Sequence, residues 1–321
     1  MMMGRGKLLR GHALIDSMAG HCRFQVVPLR KTGIHGVFGF QAQGGVLLAS
    51  GVFHFPLHGQ FDVPEGLGLY VHVHGTPPEG SAFGGVPLPP HAVFRATAAS
   101  PGVDVTFGAN ARVSLLLLPQ QREWLGVVPE ESESPRRRLS RDLVELRPES
   151  PLTAHYEYLY EWLIGIKGSV SPSSFEWRAV GATLESCFRG EYLPWHDEAC
   201  VSSYSHRVHY VTFRRAVQFM RQHFQRDIYM DELAAECRVS ARSVRYAFEH
   251  AVGLSPNRYL SALRLCEAHR RLSSFGARFG SVKAVALECG FWNTSRFASG
   301  YRSMFGENPS DTVARLCRSA A

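Results

Sequence analysis

Between residues 23 and about 120 the apolar positions fall in short runs, RFQVVPL, GVLLASGVFHFPL, GLYVHVHG and ARVSLLLLP, each closed off by glycine or proline. Many short strands with such punctuation predict an antiparallel sandwich or barrel. The pattern stops at VVPEESESPRRRLSRDLVELRPESP, residues 127–151, where charge, serine and proline replace the apolar positions and a linker or surface loop is expected. Helical spacing follows: Leu152, Tyr156, Leu159, Tyr160 and Leu163 share one face, and Phe175 to Phe188 read as a second helix. Such helices either pair two protomers or pack between domains. From Val208 onward the chain reads as all helix, beginning with a stripe of Phe213, Ala216, Val217, Met220 and Phe224.

Within that helical part a unit recurs. Leu233, Ala234 and Cys237 return as Val285, Ala286 and Cys289, and Val244, Phe248, Gly253 and Pro256 as Phe297, Tyr301, Gly306 and Pro309. Each copy opens with a short helix, MDELAAEC or SVKAVALEC, followed by a turn, RVS or GFWN, in which Gly290 can take the positive φ that ends a helix. Ser240 and Asn293 are placed to cap the next helix. Two helices joined by so short a turn are a helix-turn-helix, expected at about 229–252 and 281–306. The second helix of that motif offers its N-terminal half to the DNA major groove. Its outward residues are Arg242, Arg245, Tyr246 and Glu249 in the first copy, and Ser295, Arg296, Ser299 and Arg302 in the second. Between the copies, SPNRYLSALRLCEAHRRL opens with Ser255 and Pro256 and continues as one amphipathic helix, with Tyr259, Leu260, Leu263 and Leu272 facing both units. A rigid connector of this kind sets two reading helices into successive grooves about 10 base pairs apart.

Charge sharpens the expectation. The chain of 321 residues, long enough for two domains, carries a formal net charge of +7. From Arg207 onward there are 18 arginine or lysine residues against 9 acidic ones, so the last third holds the whole surplus. Seventeen of those 18 are arginine, whose planar fork suits phosphates and guanine edges. A polyanion partner is expected, with a merely solvated basic surface as the alternative. The longest apolar run, VSLLLLP, is far short of a membrane span, and the opening MMMGRGKLLRGHALID lacks the apolar stretch of a signal peptide. A cytoplasmic protein without membrane contact is therefore expected. The seven cysteines are scattered and form no C-x-x-C pair, so neither disulfides nor structural zinc are expected.

Residues 208–318 resemble the DNA-binding domain of AraC/XylS-type bacterial transcription regulators, through ELAAECRVSARSVRYAFEHAVGLSPNRYLSALRL together with VALECGFWNTSRFASGYRSMFGENP. The sequences GFW, GLSPNRYL and PSDTV are similar to the branch containing the ethanolamine-utilisation regulators, where Thr312 and Val313 replace the more usual aromatic and arginine. Tyr229 stands where a capping threonine or serine is usual. The resemblance places base contacts at Arg242, Arg245 and Tyr246 in the first unit and at Ser295, Arg296 and Ser299 in the second. It implies double-stranded promoter DNA and RNA polymerase as partners, a small-molecule effector of unidentified chemistry, and a homodimer.

The fold class expected is a two-domain α+β chain. Residues 1–126 would form a β-rich, cupin-like effector-binding sensor, 127–151 a charged linker, 152–200 a helical dimerisation or connector region, and 208–318 the tandem helix-turn-helix domain. No cofactor, metal or catalytic residue is expected, and the function expected is a ligand-responsive activator rather than an enzyme. Histidines His54, His58, His72 and His74 are the one candidate metal set, since alternation puts His72 and His74 on one side of a strand; an ordinary strand explains them as well. The alternative function is a cupin-type enzyme, or a repair-type protein using a cysteine nucleophile, tethered to DNA. Cys22, Cys187 and Cys200 sit in no recognisable catalytic motif.

Overall fold

The punctuated half of the chain forms antiparallel strands in a computed structural model of the protein, which describes residues 2–22, 24–43, 45–97, 104–119, 143–165, 180–184, 204–275 and 281–319. The strands are β1 (Met2–Arg10), β2 (Phe24–Pro28), β3 (His35–Gln43), β4 (Val46–Phe53), β5 (Leu57–Phe61), β6 (Leu67–Val73), β7 (Ala82–Phe83), β8 (Val86–Pro87), β9 (Ala92–Thr97), β10 (Asp104–Phe107), β11 (Ala111–Pro119) and β12 (Leu143–Glu145). They form a seven-stranded sheet, β1-β3-β4-β11-β6-β9-β12, and a five-stranded sheet, β2-β5-β10-β7-β8. Alternation sorts the side chains. Phe38, Ala49, Phe53, Val71, Phe94, Val113 and Leu115 of the large sheet pack with Phe24, Val26, Leu57, Val105 and Phe107 of the small one. Phe24 stacks on Phe61 at 4.1 Å between ring centroids. Phe24, Phe38, Phe61, Val71, Phe107 and Leu115 line a small apolar cavity there.

The opposite face of the large sheet is also covered. Leu48, Tyr70, Val93, Leu116 and Leu118 lie against a helix at Pro151–Leu163, whose Leu152, Tyr156, Leu159, Tyr160 and Leu163 are all buried, as the helical spacing requires. Ser150 Oγ accepts from Leu152 N at 3.2 Å and so caps its start.

Two features depart from the sequence reading. Met2–Arg10 forms an edge strand beside β3, and α1 (His12–Cys22) follows it. The sequence MMMGRGKLLR shows no alternation to announce that strand; its order comes from backbone pairing with β3. Likewise the predicted linker is shorter at its C-terminal end, because β12 adds to the large sheet and Leu143 and Leu146 are buried. The rest of that segment lies outside the described residues, as does the predicted second helix except for the helical residues 180–184.

The second half is helical, and the helix at Pro151–Leu163 is accordingly α2. The remainder are α3 (Tyr204–His223), α4 (Met230–Cys237), α5 (Ala241–Val252), α6 (Pro256–Phe275), α7 (Val282–Glu288), α8 (Thr294–Phe305) and α9 (Pro309–Ser319). Its core is continuous with that of the sandwich: Tyr259 of α6 is fully buried and its hydroxyl lies 2.8 Å from His58 Nδ1 of β5. No helix among the described residues is long and apolar enough to cross a membrane.

Candidate nucleic-acid interface

In the first unit, Leu233 and Cys237 of α4 are buried with Val244, Ala247, Phe248 and Val252 of α5. Arg238 ends α4 in the left-handed conformation, and Val239 N donates back to Ala234 O at 3.0 Å, which tightens the turn. Tyr229 occupies the N-cap of α4 and makes no side-chain capping bond, while Asp231 and Glu232 in the first turn suit the positive end of the helix dipole. Ser240 Oγ accepts from Ser243 N at 3.1 Å and starts α5. With Val244, Ala247 and Phe248 turned inward, Arg242, Arg245 and Tyr246 are left exposed. Arg242 Nη2 donates to Tyr246 Oη at 2.8 Å, and its guanidinium lies 5.2 Å from the ring centroid, so one side chain braces the other.

The second unit repeats this. Val285, Ala286 and Cys289 pack against Phe297, Tyr301, Met304 and Phe305. Gly290 adopts a φ of 77°, and a Cβ there would meet Phe224 O and the Arg264 guanidinium, so both conformation and space require glycine. Arg264 itself donates to Phe224 O at 2.7 Å and Arg226 O at 2.6 Å, tying α6 to the end of α3. Asn293 Oδ1 accepts from Arg296 N at 2.9 Å and caps α8. Ser295, Arg296 and Ser299 are exposed. Trp292, 67 % exposed in the turn just before that cap, is an apolar surface beside the reading row that the sequence reading passed over.

Helix α6 joins the units. Tyr259, Leu260, Leu263, Leu265, Ala268 and Leu272 are buried along it, and Glu267 accepts from Arg270 and Arg271 while Arg271 also reaches Glu288 of α7 at 3.0 Å. Near its C-terminal end, buried His269 starts a polar chain. His269 Nε2 donates to Asp16 Oδ1 of α1 at 2.7 Å; His269 Nδ1 and Tyr301 Oη are 2.6 Å apart; Tyr301 Oη and Thr312 Oγ1 are 2.8 Å apart; Thr312 Oγ1 donates to Glu307 Oε1 at 2.6 Å. Thr312, the departure from the more usual aromatic, gives the buried Tyr301 hydroxyl a second partner besides His269. Burial holds the Tyr301 hydroxyl well above its ordinary pKa, so it stays protonated. Arg315 bridges Glu307 and Asp16 at 3.2 and 3.5 Å.

The four candidate metal histidines are divided among three places. His54 Nδ1 lies 2.8 Å from Asn110 Oδ1, and His58 sits at the border with α6. His72 of β6 and His74 just beyond its end lie together under α2, their ring centroids 4.4 Å apart. There His74 Nδ1 donates to Glu157 Oε1 at 2.8 Å, and its Nε2 accepts from Ser114 Oγ at 2.7 Å. Both nitrogens of His72 are buried and have no hydrogen-bond partner among the described residues. Burial, then the neighbouring His74, His91 and Arg112, push its pKa well below 6.5; burial also lowers His74 despite Glu157. Among the described residues no group of three or more His, Cys, Asp or Glu is arranged to hold a metal ion. Burial pushes the Cys266 and Cys289 thiols up to about 12, away from nucleophilic use. Cys187 and Cys200 lie outside the described residues, and the side chain of Cys22 is not described.

Residues 233–315 match the family model described as a helix-turn-helix domain. Over 104 residues the chain is 41 % identical to "XylDLEGF operon transcriptional activator 1" of Pseudomonas putida, covering 32 % of this chain and 31 % of that protein. Over 93 residues it is 31 % identical to the "HTH-type transcriptional activator RhaS" of Klebsiella pneumoniae, covering 29 % and 32 %. These matches span about a third of the length of either relative. A solved structure described as a "probable AraC family transcriptional regulator" from Rhodopseudomonas palustris is 38 % identical, with 32 % of this chain and 95 % of that one covered and a TM-score of 0.31.

Proposed function

We propose, from the premise that residues 233–315 are an AraC/XylS-type helix-turn-helix domain, that the whole protein is a sequence-specific DNA-binding transcription regulator of a bacterial cytoplasm. Both second helices present their predicted reading residues to solvent from one scaffold, and this observation carries the proposal. Arg242, Arg245, Tyr246, Ser295, Arg296 and Ser299 read base edges or phosphates of double-stranded promoter DNA, and α6 sets the spacing between them. Residues 1–126 act as a cupin-like sensor of a small-molecule effector, a role supported by the two-sheet sandwich and its apolar interior. Residues 127–151 connect it onward, residues 152–200 contribute to a homodimer, and residues 208–318 bind DNA and recruit RNA polymerase as an activator. PSDTV and GLSPNRYL support placement in the ethanolamine-utilisation branch. The protein is not an enzyme in this reading.

The test is selection of duplexes from a randomised pool by the full chain, followed by binding across a salt series with scrambled competitor. A preference of about a thousandfold or more for the selected duplex is expected, the low end for specific readers. Equal, steeply salt-dependent binding to both would leave only electrostatic attraction and overturn the reading.

A further inference from the structure

The sandwich touches the reading helix itself. Ser303 Oγ of α8 donates to Lys31 O at 3.3 Å, Gly11 packs on the Phe305 carbonyl, and His12 Nδ1 lies 3.4 Å from Phe305 O. On α8, Arg296, Ser299 and Ser303 are all exposed and recur at helical spacing along one face. Lys31 therefore lies at the C-terminal end of the row whose other end is offered to bases. Arg30 and Lys31 are both exposed in the bend after β2, which is anchored by buried Ile34 and by the bond from Gly11 N to Ile34 O at 2.8 Å. Among the described residues neither has a carboxylate partner. The two carboxylates at this border are already engaged, Asp16 by His269 and Arg315, and Glu307 by Thr312 and Arg315.

Helix length says where these charges go. Helix α8 has 12 residues, hence a length of about 18 Å, whereas the major groove is about 8.5 Å deep. With its N-terminal turn at the base edges, its last turn stands level with the phosphates that wall the groove. We propose that Arg30 and Lys31 contact DNA phosphates flanking the site read by the second unit, so that the N-terminal domain forms part of the DNA-binding surface. This inference rests on the DNA-reading function proposed above.

The experiment uses the full chain and a duplex it has enriched from a randomised pool. The double variant Arg30→Ala/Lys31→Ala should lower the slope of log affinity against log salt by about 1.8, at about 0.9 for each phosphate that is no longer neutralised, with sequence preference unchanged. The charge-conserving exchange Arg30→Lys/Lys31→Arg should keep the original slope, and Arg30→Glu/Lys31→Glu should bind more weakly than the alanine variant. Identical slopes for wild type and the alanine and glutamate variants, on a duplex the wild type prefers, would overturn the inference and leave the DNA-reading function standing. If the wild-type chain enriches no duplex, that function falls and the inference falls with it.

Discussion

At the scale of single residues, the two reading helices differ in how they hold their arginines. Arg242 is braced by Tyr246, whereas Arg296 stands at the first turn of α8 with its backbone N–H donating to Asn293. A braced side chain loses less freedom on binding, and an arginine next to a helix start is aimed along the groove floor. Arg296→Ala is expected to cost about 1–3 kcal/mol of specific binding and to relax preference at one base position, measured by competition among single-base variants of the selected duplex. Uniform weakening on every duplex would make Arg296 a phosphate contact instead. Those residues were legible in the sequence because helical spacing decides exposure locally: once Val244 and Phe248, or Phe297 and Tyr301, face the core, their neighbours must face out. Ser240, Asn293 and Gly290 were legible for the same reason, since caps and positive-φ turns are short-range chemistry.

At the scale of elements, α2 and the large sheet show what local pattern leaves out. The spacing of Leu152, Tyr156, Leu159, Tyr160 and Leu163 predicted the apolar face, but nothing in it announced that the sheet opposite would carry His72, His74, Ser50 and Ser114. His72 is faced by His74 and His91 from the sheet side, by Arg112 of β11 and by Tyr156 of α2; Glu157 and Tyr160 of α2 face His74. The folded state disfavours a charged His72 and a charged His74, so both pKa values lie below the 6.5 of a solvated ring. Between those folded values and about pH 6.5 the unfolded chain binds more protons, and stability therefore falls as pH falls through that window. Urea midpoints from pH 8 to pH 5 should decline for the wild type, and His72→Phe should flatten the decline. A wild-type midpoint that holds steady below pH 6.5 would contradict this. The strand β1 and helix α1 went unread for a different reason: an edge strand gains its order from its neighbour, and glycine and lysine at its positions give no alternation to read.

At the scale of the whole molecule, the contacts that matter join residues far apart in sequence. His269 meets Asp16 across 253 positions, and Ser303 meets Lys31 across 272. No periodicity encodes such pairs, so the docking of sandwich and helical domain was invisible to the sequence although each half was recognisable. Asp16→Ala leaves a buried donor of His269 without its acceptor, and the full chain should lose about 1–3 kcal/mol in urea unfolding. A loss within the error of the measurement would show that this contact does not hold the two halves together.

The same chain has a consequence for how the joint comes apart. Four hydrogen bonds run from Asp16 to Glu307 through His269, Tyr301 and Thr312, so that α1, α6, α8 and α9 share one polar run. Each interior member serves a neighbour on both sides, and breaking any one contact strands a buried polar atom in the next element. The chain under α2, from Glu157 through His74 and Ser114 to Ser50, stays between the sandwich and its own covering helix. The first chain crosses from one half of the molecule to the other, so separating the sandwich from α6 and α8 would open a whole network at once instead of losing contacts singly.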